Sequence, residues 1–218
     1  MNRKILKIAH RGYSSKYKDN SMESFHGALQ NNFDMIEMDI QLCKSNEIII
    51  FHDNYKDDKF IRDMTLKEIQ TKDKDIITLE YFFNQFDYTK IQIYLDLKGS
   101  NQLSYYLFHF IEKNKINTEK IYFASFKMKH IDYLYNKNNN LNFGIITYNN
   151  FTNFTLEHYI KKFNLQFVCI DWSVLDNETI SYIHKLKTKV FACTAKSDLS
   201  LYFIKKYDID GIVSDILL

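Results

Sequence analysis

The chain contains no proline, five glycines and three cysteines in 218 residues. The missing proline, beside abundant Asn, Lys, Ile, Tyr and Phe, reads as a compositional bias of the source and carries no functional signal. The glycines never gather into a phosphate-cradling loop, which argues against a nucleotide-binding open sheet. Cys43, Cys169 and Cys193 are odd in number, far apart and set among apolar neighbours. They read as buried thiols in a reducing compartment, not as a disulfide framework or a zinc site. No apolar run approaches a membrane span, and Arg3, Lys4 and Lys7 interrupt the residues where a signal peptide would need its apolar core. Neither sign of charge dominates: 29 basic against 27 acidic residues leave +2, with no global field for nucleic acid or an anionic membrane. The expectation is a cytoplasmic protein with no transmembrane segment and no nucleic-acid partner.

Apolar residues make up 45% of the chain, which at this length suits one globular domain over residues 1–218. Its most informative stretch runs from Ile8 to Asp53. Three short apolar runs there each end in residues capable of acid, base or metal chemistry: Ile8-Ala9-His10-Arg11-Gly12, Ile36-Glu37-Met38-Asp39, and Ile48-Ile49-Ile50-Phe51-His52-Asp53. Apolar runs of this length read as strands buried on both faces, and polar residues at their ends suggest an active-site mouth. Glu37 and Asp39 are two apart, so on a strand they point to the same side. Two carboxylates on one face repel, and a hard divalent cation held by oxygen ligands is the usual resolution.

In chain order, strands are expected at Ile5 to Ala9, Asp34 to Leu42 and Glu47 to His52, with a helical pattern over Asn20 to Asn32. Thr65 and Thr78 are candidate helix caps. From Ile91 onward strands alternate with helices of about ten residues, ending in a strand at Gly211 to Val213, which indicates a parallel sheet. With so many repeats, a closed (β/α)8 TIM-type barrel fits better than an open doubly wound sheet. The count is nine strands for eight places, and the link Lys44-Ser45-Asn46 is too short for a helix. The region of strands two and three is therefore the irregular part.

His10-Arg11-Gly12, Asp19-Asn20-Ser21, Ile36-Glu37-Met38-Asp39 and His52-Asp53, taken in that order, resemble the signature of the glycerophosphodiester phosphodiesterase family. The likeness extends through Thr78-Leu79-Glu80, Leu95-Asp96-Leu97-Lys98, Ser125-Phe126 and Asp210-Gly211-Ile212-Val213-Ser214-Asp215. The resemblance implies a barrel that hydrolyses glycerophosphodiesters to an alcohol and glycerol 3-phosphate with a divalent cation, Mg²⁺ or Ca²⁺. Carried over by position, Glu37, Asp39 and Asp96 would hold the metal, and His10 and His52 would be the acid-base pair. Arg11 and Lys98 would neutralise phosphate oxygens, with Asn20, Asp53 and Ser125 in supporting positions. Such chemistry needs cations to absorb charge on the non-bridging oxygens, and histidines to move protons near neutral pH.

Several positions depart from the family's usual pattern. Asp96 stands where Glu is common, Lys18-Asp19-Asn20-Ser21 replaces Pro-Glu-Asn-Thr, and Cys193 replaces a tryptophan. Asn54 to Phe60 replaces a stretch with an arginine and threonines, so the cap over the substrate is expected to be small. The Asp96 form also resembles the venom sphingomyelinase D group, which keeps open a phospholipase D-like enzyme on lysophospholipids or choline lipids. An inactive barrel that binds phosphodiesters is a third reading. His26, His109, His130, His158 and His184 lie in or beside helical patterns and read as structural, as does Asp215. Trp172 suits the mouth or the rim.

Overall fold

The structure, a computed structural model, describes residues 4–148 and 151–217; Arg3, one of the N-terminal charges considered above, lies outside them. Strand β1 (Leu6–Ala9) leads into helix α1 (Met22–Gln30), then β2 (Met35–Leu42) and β3 (Ile48–Ile50). A hairpin of β4 (Tyr55–Lys56) and β5 (Lys59–Phe60) and the short helices α2 (Leu66–Lys72) and α3 (Leu79–Gln85) follow. Regular alternation then takes over: β6 (Gln92–Leu97), α4 (Leu103–Asn114), β7 (Ile121–Ser125), α5 (Met128–Lys137), β8 (Asn142–Thr147) and α6 (Asn153–Phe163). The last units are β9 (Phe167–Asp171), α7 (Asn177–Lys185), β10 (Lys189–Ala195), α8 (Asp198–Ile204) and β11 (Gly211–Ser214).

Eight of these strands run parallel in the order β1-β11-β10-β9-β8-β7-β6-β2, and β1 also pairs with β2, so the sheet closes into a (β/α)8 barrel. The surplus strand is β3. It pairs antiparallel with the upper half of β2, Ile40 opposite Ile50 and Leu42 opposite Ile48, and stays outside the ring. The five-residue link between Leu42 and Ile48 permits only an antiparallel return, which is why the irregularity falls around Lys44-Ser45-Asn46, where the sequence predicts it. The segment beyond β3 builds a satellite core of Cys43, Ile49, Ile61, Met64, Ile69 and Ile76. Thr65 caps α2 in a capping box with Glu68, and Thr78 caps α3. The stretch from Asn54 to Phe60 forms the small β4–β5 hairpin.

Alternation along the strands sorts side chains between two cores. Ile36, Met38, Ile93 and Leu95 face outward against the helices. Ile8, Met35, Tyr94, Phe167, Phe191 and Val213 fill the barrel interior. Phe167 and Phe191 stack there at 4.4 Å between ring centroids. That pair needs a bare position beside it: a Cβ on Gly144 would come within 2.3 Å of the Phe167 ring. Cys43, Cys169 and Cys193 are all free and buried. His130 is buried beside Ser104, and burial pulls its pKa down to about 4, as suits a neutral core histidine. Trp172 stacks on Phe203. Among the described residues no helix is long and apolar enough to cross a membrane.

Candidate active site

The inner face of β2 carries Glu37, Asp39 and Gln41 at successive alternate positions, all buried. Its parallel neighbour β6 sets Asp96 in register with Asp39, and Lys98 follows just past the strand end. One ligand oxygen from each of Glu37, Asp39 and Asp96 lies within 4.8 Å of the others. Parallel register and side-chain alternation therefore create a three-carboxylate cluster at the C-terminal mouth, where barrel enzymes work.

The turn after β1 brings in the compensating groups. Arg11 and Gly12 both adopt positive φ, 56° and 76°. A Cβ on Gly12 would strike Ser24, with Oγ at 2.3 Å, so glycine lets this turn press against α1. The turn aims the Arg11 backbone N–H at Glu37 Oε2, 2.8 Å away, while the Arg11 side chain lies 3.1 Å from both Asp39 and Asp19. Asn20, also at positive φ, donates to Asp39 Oδ2 at 2.9 Å and accepts from the Asp39 N–H at 3.2 Å. The Lys98 ammonium bridges Asp39 at 3.2 Å and Asp96 at 2.7 Å.

Three acids against two cations leave a shortfall, and it is unevenly shared. Burial works against an ionised Asp39, but Lys98 and Arg11 outweigh it and hold that carboxyl below its usual range. Glu37 is pushed well above the usual range by burial and then by Asp39 and Asp96. Asp96 is also raised by burial, with Lys98 offsetting only part. Lys98 itself is held above the usual lysine range: its burial is overcome by Asp96 and Asp39. Asp96 Oδ1 is buried with no hydrogen-bond partner. An orphaned carboxylate oxygen within an all-oxygen set fits a hard divalent cation such as Mg²⁺ or Ca²⁺.

Two histidines stand over this cluster. His10 Nδ1 is 2.6 Å from Asp215 Oδ1, which also accepts from the Ser14 hydroxyl at 3.0 Å. Burial opposes ionisation of Asp215, but the bond to His10 outweighs it and lowers the carboxyl's pKa. His52 Nδ1 is 2.7 Å from Asp53 Oδ1. Both rings line a single cavity of about 190 Å³ with Arg11, Glu37, Asp39, Asp96 and Lys98.

The sequence model of the glycerophosphoryl diester phosphodiesterase family matches residues 10–217. The chain belongs to this family. It is accordingly a hydrolase of phosphodiesters. A relative from Bacillus subtilis (strain 168), YhdW, provisionally named a glycerophosphodiester phosphodiesterase, is 27% identical over 95% of this chain and 93% of its own. Among solved structures, the Thermotoga maritima glycerophosphodiester phosphodiesterase shares the fold at a TM-score of 0.84 and 20% identity, covering 100% of this chain and 97% of that one. An Oleispira antarctica phosphodiesterase solved with the product sn-glycerol-3-phosphate gives 0.84 at 22% identity, covering 97% and 93%.

Within this family member, two residues of the mouth escape the sequence reading. Asp215, expected to be structural, places its carboxylate 2.6 Å from His10 Nδ1. The pairing joins positions 205 residues apart, and only closure of the barrel between β1 and β11 brings them together. Gln41 donates through Nε2 to the carbonyls of Phe51 and Asp53, at 2.8 and 2.7 Å, and so braces the backbone on either side of His52. Its signal is the Glu37-x-Asp39-x-Gln41 alternation. Ser125 does not line the cavity; its hydroxyl donates to the Leu97 carbonyl at 2.6 Å and accepts from the Lys127 N–H, tying β7 to the strand end that carries Lys98.

Proposed function

We propose that the chain hydrolyses glycerophosphodiesters to an alcohol and glycerol 3-phosphate, with His10 and His52 as the acid-base pair and a divalent cation held by Glu37, Asp39 and Asp96. The observation that carries this reading is the convergence of two carboxylate-oriented imidazoles on one cavity lined by three acids, Arg11 and Lys98. When bound, the cation would polarise a non-bridging phosphate oxygen and absorb charge that develops there. Arg11 and Lys98 share that work from fixed positions and orient the diester. With Nδ1 of each histidine engaged by Asp215 or Asp53, Nε2 is the atom left to exchange a proton. One ring takes the proton of the attacking water and the other returns a proton to the leaving alkoxide. Asn20 holds Asp39 in place, and Gln41 fixes the approach of His52.

The test is cleavage of glycerophosphocholine with Mg²⁺, Ca²⁺ or chelator, with products identified by mass. Metal-dependent release of choline and glycerol 3-phosphate, abolished in His10→Ala and in His52→Ala, is expected. Turnover that survives both substitutions would overturn the two-histidine mechanism, and a cyclic phosphate as the end product would overturn hydrolysis.

A further inference from the structure

Ten large apolar side chains are exposed among the described residues, and seven of them, Tyr105, Tyr148, Phe154, Leu199, Tyr202, Phe203 and Leu217, belong to the regular strand-helix units after β6. Each of these seven follows the mouth end of a strand or occupies the first two turns of a helix, where the chain leaves the mouth. The opposite face exposes residues such as Asn117, Glu119, Asn139, Lys187 and Lys189 at its connections instead. An even scatter of exposed apolar groups needs no explanation, but the gathering of these seven on one face does.

The densest part is an arc over β8 to β10, where Phe154 is 82% exposed, Leu199 66%, Tyr202 60% and Tyr148 58%. Tyr148 stacks on Phe126 at 4.5 Å, and both line the catalytic cavity, so the arc is continuous with it. Lys129 and Lys196 stand on the same side, both exposed; Lys196 reaches the cavity beside Asp215 and acts on that carboxylate from a distance. Protruding aromatic and aliphatic groups interleaved with exposed ammonium groups match the boundary between water and lipid head groups.

We propose that the mouth of the barrel rests on a lipid surface. Phe154 and Leu199 enter among the head groups, Lys129 and Lys196 meet lipid phosphates, and the cavity opens onto phosphodiesters held at that surface. The near-zero net charge does not conflict with this, because the attraction comes from a local arc and not from a global field. The proposal takes the mouth as the catalytic face and so rests on the function proposed above.

The experiment is co-sedimentation of the full chain with phosphatidylcholine vesicles containing a minority of phosphatidylglycerol, alongside turnover of water-soluble glycerophosphocholine. The Phe154→Ser, Leu199→Ser double variant is expected to partition to vesicles roughly tenfold more weakly or worse, with soluble turnover unchanged. Absence of vesicle binding by the parent chain, or equal binding by the variant, would overturn the proposal. So would a dimer in gel filtration that the variant breaks apart, since the arc would then belong to a second copy of the chain. If glycerophosphocholine is not cleaved while vesicle binding still falls in the variant, the proposed function fails and the docking surface stands.

Discussion

The charge shortfall in the mouth makes the effect of metal on stability depend on pH. Glu37 and Asp96 have pKa values raised by burial and by their neighbours, so between the ordinary carboxylate range and their folded values the native state binds more protons than the unfolded chain. By linkage, stability from these two groups is present at low pH and falls as pH rises from about 4 through the folded values. Asp39 runs the other way. Its lowered pKa supplies stability above the ordinary range that is lost only in stronger acid, so it contributes no slope near neutrality. A divalent cation replaces the protons on Glu37 and Asp96, and its benefit should therefore grow with pH. At a hundredfold excess over Kd, binding stabilises by about 2.7 kcal/mol, which for a chain of this size is a Tm increase of roughly 5 to 11 °C. Thermal unfolding should be followed with Mg²⁺, Ca²⁺ or chelator at pH 5, 6, 7 and 8. The expected result is a metal-induced increase that widens toward pH 8 and collapses in Glu37→Gln and in Asp96→Asn. An increase that shrinks as pH rises, or one that survives both substitutions, would refute the assignment of the cation to these carboxylates.

Lys98→Met should lower kcat for glycerophosphocholine by about 10²- to 10³-fold, the scale for loss of one preorganised charge-stabilising group; Lys98→Arg should recover part of it, and an unchanged kcat would remove Lys98 from phosphate contact. Asp215→Asn should lower kcat by on the order of 10²-fold or more through loss of the His10 orientation, while the metal-induced Tm increase stays at the parent value because Asp215 does not touch the carboxylate cluster. Gln41→Leu should free the Phe51 and Asp53 carbonyls and raise proteolytic cleavage near His52. Its kcat should fall roughly tenfold, since small displacements of a positioned group weaken catalysis steeply, and an uncut, fully active variant would leave Gln41 with no part in placing His52.

Much of this architecture could be read from the chain because the signals are local. Alternation alone places Glu37 and Asp39 on one inner face, and the repeating strand-helix rhythm after Ile91 indicates a barrel without any tertiary information. The surplus strand shows where local reading stops: β3 looks like its neighbours in composition, and only the short link before it reveals that it must turn back along β2. Asp215 marks a deeper limit. It closes a motif that marks the last strand, but nothing local names its partner, which it meets because β11 closes onto β1 and sets it 2.6 Å from His10. The exposed arc over β8 to β10 is hidden for a related reason. Tyr148, Phe154 and Leu199 are indistinguishable in sequence from the aromatic and aliphatic residues that fill the core, in a chain where aromatics are 16% of residues. Local pattern thus specifies which groups face inward on one strand, while ring closure decides which partners they meet and which apolar groups remain at the mouth.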